Sequence, residues 1–208
     1  MQTNFDQSLK YVLLDEGGNS DDPNDPGGRT SRGITQGTYD SWCKLNNQPP
    51  GDVWNATDDA VKSIYHDQYW NPYCDSLPGG VDYLYFDISV NSGRTQATRL
   101  FQKALGVTVD GMLGQITMSR IQSVDPIKLI NAVSERRRDF YRSLSQFSRY
   151  GKGWMNRTNH SENAAIAMSK ATDFEKPAAI SVKATDPVTP AVPPEVTGTA
   201  TGGLLAVL

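Results

Sequence analysis

No helix passes comfortably through Gly17-Gly18, and the segment from Asp21 to Gly33 carries Pro23, Pro26, Gly27, Gly28 and Gly33, which is loop chemistry. Just before that break, Phe5, Leu9, Val12 and Leu13 fall at the i, i+4, i+7, i+8 spacing of one helix face. Thr3 or Asn4 can cap this helix at its start. The chain must therefore open as an amphipathic helix that breaks into a glycine-rich loop, with Glu16 on the last helical turn. A carboxylate there meets the negative end of the helix dipole, with Asp15 beside it. Both effects disfavour ionisation and raise the pKa of Glu16, which is what a proton-donating glutamate requires. The alternative is a solvated residue at a helix end, because a Glu-Gly-Gly triplet decides nothing alone.

The remaining periodicity is helical, so the expected fold class is mainly α with a small glycine-rich loop or hairpin region after the first helix. Thr38, Tyr39 and Trp42 indicate a short helix. Thr57 caps the next, with Ala60, Val61, Ile64, Tyr65 and Tyr69 at helical spacing. Tyr65 and Trp70 then read either as aromatic core or as a platform for a sugar ring, in a stretch crowded with aromatics that includes Tyr69. Leu84, Phe86, Ile88 and Val90 make a largely buried third helix ending at Ser92-Gly93. Asp87 and Asn91 within it need partners, in the core or in a cleft beside Glu16. A further helix carries Ala97, Leu100, Phe101, Ala104 and Leu105, and Asp110-Gly111 fits a tight turn. Pro126 suits the first position of a long helix whose face includes Ile130, Val133, Arg137, Phe140, Leu144 and Phe147. Tyr150 to about Ala171 forms the last ordered element. Beyond it Pro177, Pro187, Pro190, Pro193 and Pro194 stand among Thr, Ala and Val, the composition of a disordered tail.

The net charge of −3 hides a polarity. Residues 1–25 hold Asp6, Asp15, Glu16, Asp21, Asp22 and Asp25 against Lys10, whereas residues 128–157 are rich in Arg. Arg136, Arg138 and Arg142 are either a solvated, internally paired face or a surface for anionic envelope groups. Nucleic acid fits poorly with the negative balance and the lack of a reading motif. No apolar stretch is long enough to span a bilayer, so no stable membrane insertion is expected. The N-terminus lacks the pattern of a secretory signal. Cys43 and Cys74 are expected as free thiols.

Taken together, Glu16-Gly17-Gly18, Asp25-Pro26-Gly27-Gly28, Thr30 and Gly33-Ile34-Thr35 resemble the glycoside hydrolase family 108 N-acetylmuramidases. The order Glu, Asp, Thr is that of phage-type lysozymes. The likeness extends through Tyr69-Trp70, Leu77-Pro78, Phe86-Asp87-Ile88-Ser89-Val90-Asn91-Ser92-Gly93, Asp110-Gly111, Gly114, Thr117 and Gly151-Lys152-Gly153-Trp154, while Tyr73-Cys74 and the tail follow no family pattern. It implies a lysozyme-like fold, hydrolysis of bacterial peptidoglycan and Glu16 as catalytic acid. It divides the chain into a catalytic lobe (1–93), a helical lobe of peptidoglycan-binding type packed on it (94–170) and the tail (171–208). Asp25 and Thr30 would accompany Glu16, with Asp25 either orienting water or serving the turn. Gly28, Thr35, Tyr69, Trp70, Asp87 and Asn91 are candidate substrate contacts.

No cofactor or metal is expected: Pro26 and Gly33 stand where a calcium loop would want ligands, and His66, His160, Cys43 and Cys74 lack zinc spacing. The rivals are a lytic transglycosylase cutting the same bond and a non-catalytic peptidoglycan-binding protein. With no visible export signal and a substrate beyond the membrane, a phage endolysin, expected as a monomer, fits both facts, and a bacterial secretion-associated muramidase fits them less well. Such an endolysin would be made in the host cytoplasm, depend on a holin for passage and act in the periplasm.

Overall fold

A computed structural model describes residues 2–21 and 28–171. Eight α-helices occur among them: α1 (Gln2–Asp15), α2 (Gln36–Leu45), α3 (Asp58–Tyr65), α4 (Val81–Ser92), α5 (Arg94–Leu105), α6 (Gln115–Ser123), α7 (Pro126–Arg142) and α8 (Phe147–Ala171). The fold is mainly α and lysozyme-like. Residues 22–27 and 172–208, with Asp25 and the tail, lie outside the described residues.

The centre is α4. Tyr83, Leu84, Tyr85, Phe86 and Ile88 leave it no polar side, and a helix apolar all round must be enclosed. It is: Leu84, Tyr85, Phe86 and Ile88 are buried completely. Phe5 of α1 packs its ring 5.9 Å from Phe86, and Tyr85 meets Phe101 of α5 at 5.4 Å. Each such ring contributes roughly 1.5–3 kcal/mol by leaving water. Gly80, at φ +83°, precedes α4 where α8 crosses; a Cβ there would stand 2.2 Å from the Ala165 carbonyl oxygen. Only glycine permits that approach, which brings α8 against the central helix.

After α1, described residues form a three-stranded antiparallel sheet in the order β1 (Asn19–Ser20), β2 (Thr30–Ser31), β3 (Ile34–Thr35). Arg32 and Gly33 are the two turn residues between β2 and β3, at φ +50° and +76°. Paired positive φ values mark the tight turn whose twist matches a hairpin.

Several local expectations are corrected. Neither Thr3 nor Asn4 caps α1, because the helix already runs from Gln2. Asn4 Nδ2 instead donates to Asp82 Oδ2 at 2.9 Å, tying α1 to α4. The α3 helix is capped by Thr57 as expected, but after Tyr65 it widens into one π-helical turn, His66–Trp70. The long helix stops at Arg142, and Phe147 opens α8 instead of closing α7. Ser143 at the C-cap accounts for the break: its N–H meets the carbonyls of Asp139 and Phe140, and Leu144 N–H meets that of Tyr141. Much of the arginine-rich helix is internally neutralised. Arg138 pairs with Glu135 and Glu162, Arg142 with Glu135 and Asp139, and Arg136 with Asp139. Both cysteines are free and buried.

Candidate active site

The helix α1 delivers Glu16 one residue past its end, where the Glu16 N–H still bonds the Val12 carbonyl at 3.1 Å. Its side chain is only 5% exposed. Oε1 accepts from Arg157 Nη1 at 2.9 Å. That guanidinium also donates through Nε and Nη2 to Asp87 Oδ1, at 3.1 and 2.9 Å. On the other oxygen of Asp87 sits Arg137 Nη1, at 2.6 Å, with both side chains fully buried. Arg137 also donates to Ser161 and to the Tyr141 hydroxyl. Tyr141 in turn donates to Asn91. A charge on the central helix cannot be left unpaired, and α7 and α8 each supply one partner.

With Asp15 3.9 Å from Arg157, the cluster holds three carboxyl groups against two guanidiniums, so one acid is in surplus. Asp87 is not the acid whose ionisation is disfavoured: burial opposes it, but Arg157 and Arg137 hold its carboxyl below the ordinary value. Burial pushes Glu16 upward; Arg157 opposes this by charge and hydrogen bond, and Asp87 and Asp15 reinforce it. Asp15 is raised too, first by burial, but its side chain is 25% exposed. Burial thus shifts Glu16 toward its protonated form, against the pull of Arg157. The chemistry within reach is proton donation.

The Arg32–Gly33 turn closes over Glu16. A Cβ at Gly33 would lie 2.9 Å from Glu16 Oε2 and 2.6 Å from the Tyr65 hydroxyl oxygen. Gly33→Ala is therefore expected to cost about 1–2 kcal/mol from the left-handed backbone alone. Moving the acid should also cut activity at least tenfold, since displacements near 1 Å can cost about a hundredfold. A melting curve and a turbidity assay of wall lysis check this.

Other candidates fall in different places. Trp70 is corrected to core: it is 1% exposed, its ring packs on Phe5 and Phe86, and its indole N–H donates to Asp75. Such a ring offers no face to a sugar. Thr35 is the N-cap of α2, its hydroxyl accepting the Thr38 N–H. Asp87 is fully buried on Arg137 and Arg157, which corrects it from a substrate contact to a member of the cluster beneath Glu16, and Asn91 Oδ1 accepts from Tyr141 and Arg137 at its edge. Tyr69 stays near the acid: its ring lies 5.8 Å from Tyr65 and its hydroxyl is raised by burial and then by the charge of Glu16. Thr30 heads β2, with its hydroxyl on the Gly28 carbonyl at 3.2 Å, and Gly28 adopts φ +62°. Sequence reasoning missed Arg157, Arg137 and Gly33 as site residues, and Tyr65 is buried beside the Gly33 turn and not a stacking platform. The legible signal was Asp87, a charge in an apolar run that demanded a cation. A cavity of about 620 Å³ lined by Phe5, Lys62, His66 and Trp70 sits near the opposite end of α1, roughly 16 Å of helix from Glu16.

Comparison with known proteins accords with this geometry. The profile of the family described as Glycosyl hydrolase 108 matches residues 9–93, and that described as Predicted Peptidoglycan domain matches residues 96–159. No protein with a curated description matches. The structure of Brucella abortus SagA is similar at 32% identity and a TM-score of 0.71, over 84% of this chain and 100% of SagA. The chain belongs to the glycosyl hydrolase 108 family. As a family member it is a glycoside hydrolase, and the second matched region identifies peptidoglycan as its polymer. The cluster draws on both regions, with Glu16 and Asp87 in the first and Arg137 and Arg157 in the second. No helix among the described residues is long and apolar enough to cross a membrane.

Proposed function

We propose that this peptidoglycan hydrolase is an N-acetylmuramidase, cutting the glycan between N-acetylmuramic acid and N-acetylglucosamine with Glu16 as general acid. The observation that carries this reading is the buried Glu16 carboxyl in a cluster with one more acid than base. In the reaction, the proton of Glu16 passes to the glycosidic oxygen as the bond from the sugar carbon to that oxygen breaks and its electron pair goes to the oxygen. The carboxylate left behind is met at once by Arg157, already aligned at 2.9 Å. That charge needs no reorganisation to be stabilised. Asp25 with Thr30 would orient the attacking water. Residues 94–170 would hold the wall while also supplying Arg137 and Arg157. In the biological setting we favour, a monomeric phage endolysin waits in the host cytoplasm for a holin and then acts in the periplasm.

A lytic transglycosylase is the second reading. The other two carboxyl groups of the cluster, Asp15 and Asp87, are gathered by Arg157, and transglycosylation needs only one acid and no activated water. Mass spectrometry of digested sacculi separates the two. Products carrying one added water are expected; anhydro-sugar ends in their place would overturn hydrolysis of this bond.

A further inference from the structure

Trp54 is left 36% exposed, whereas Tyr65 and Trp70 are 2% and 1% exposed. It stands in a short 3-10 turn, Val53–Asn55, that follows Asp52. Leaving an indole in water forgoes the gain from burying it, yet this one is held fixed. Its Nε1–H donates to the Thr30 carbonyl at 3.2 Å. The Arg29 guanidinium carbon lies 4.2 Å from the ring centre, within cation–π range. Arg29 is fixed in turn by Asp52 and, at 3.3 Å, by Asp21. The other oxygen of Asp52 accepts the backbone N–H of Trp54 at 3.0 Å. With one edge bonded and one face under Arg29, the area left to solvent belongs to the opposite face and the remaining rim. Thr30 pairs with Thr35 in the hairpin whose Arg32–Gly33 turn closes over Glu16. Two strand positions, about 7 Å, separate Thr30 from that turn. The ring is thus fastened to the same small sheet that covers the acid, within the reach of a short run of sugar units.

We propose that Trp54 is a substrate-binding residue: its open face stacks on a sugar ring of the glycan strand near the bond that is cut. The inference rests on Glu16 marking the point of cleavage. A pyranose ring carries an apolar face of C–H groups, which a flat aromatic side chain covers without directional bonds. An aromatic held rigid before the sugar arrives also loses little side-chain freedom on binding. Thr30 and Arg29 supply that rigidity. The other use for this residue is a strut that fastens the Val53–Asn55 turn to β2. A strut needs the Nε1–H but has no use for an open face, and that difference separates the two by experiment.

The probe is a peptide-free tetrasaccharide of alternating N-acetylglucosamine and N-acetylmuramic acid, titrated by calorimetry into Glu16→Gln so that it stays intact. Adding Trp54→Ala should weaken binding about five- to fiftyfold. Trp54→Phe keeps a flat ring but loses the Nε1–H, and it should bind between the two. Unchanged binding by Trp54→Ala overturns the platform and leaves the acid standing. A loss in Trp54→Phe as large as in Trp54→Ala overturns it in favour of the strut. Should Trp54→Ala fail to fold, Trp54→Leu replaces it, since leucine is apolar but not flat; equal binding by the Leu and Phe variants then overturns the platform. In the protein that retains Glu16, the loss in Trp54→Ala should fall on KM for the same oligomer more than on kcat, and a loss confined to kcat overturns the role. Cleavage of the oligomer by Glu16→Gln removes the acid instead, and the ranking of the Trp54 variants then decides alone whether the ring holds sugar.

Discussion

Glu16→Gln is expected to fold, to bind cell walls and to lose glycan hydrolysis by about 10²- to 10⁴-fold, the usual contribution of a general acid. The glutamine carbonyl can still accept the Arg157 N–H, and the amide matches the carboxyl group in size. Geometry is kept and only the transferable proton is lost. Stability should hold or rise at neutral pH. A glutamate whose folded pKa is raised contributes stability that is fully present below its unfolded value of about 4.3 and is lost as pH rises through the folded value. Glutamine has no such loss. Lysis assays with purified sacculi, paired with melting curves across pH 4 to 8, test both halves. A folded variant that lyses walls like the wild type would sink the assignment.

The largest loss of stability should come from a residue that touches no substrate. Arg137→Met removes a fully buried cation whose Nη1 lies 2.6 Å from Asp87. Asp87 then depends on Arg157 alone, and breaking such a buried pair costs about 3–5 kcal/mol. At roughly 2–4 °C per kcal/mol, the melting temperature should fall by about 6–20 °C. Activity should fall as well, because Arg157 is drawn toward the unbalanced Asp87 and away from Glu16. Adding Asp87→Leu to Arg137→Met should restore part of the stability, since no uncompensated charge remains, without restoring lysis. A single variant that melts with the wild type would show that Asp87 does not need Arg137.

How much of this was legible beforehand depended on whether the relevant force was local. Thr57 and Pro126 marked helix starts because capping involves neighbours within one turn. The stop at Gly17-Gly18, the burial of α4 and the turn at Asp110, whose Oδ1 accepts the Met112 N–H at 2.8 Å, were readable for the same reason. Trp70 was ambiguous because an aromatic at helical spacing looks the same whether the ring beside it is a sugar or Phe86. Arg137 was visible only as an apolar-face oddity, and Arg157 only as one base among many.

The sequence by itself determined a mainly helical chain, a glycine-rich break after the first helix and a carboxyl group at the helix end, since periodicity, caps and dipoles act over a few residues. Only the tertiary structure decided what that carboxyl group meets. Arg157 lies 141 positions away from Glu16, and the Gly33 turn and Tyr65 approach from other elements. Desolvation and charge pairing depend on distance in space, which no short stretch of sequence specifies.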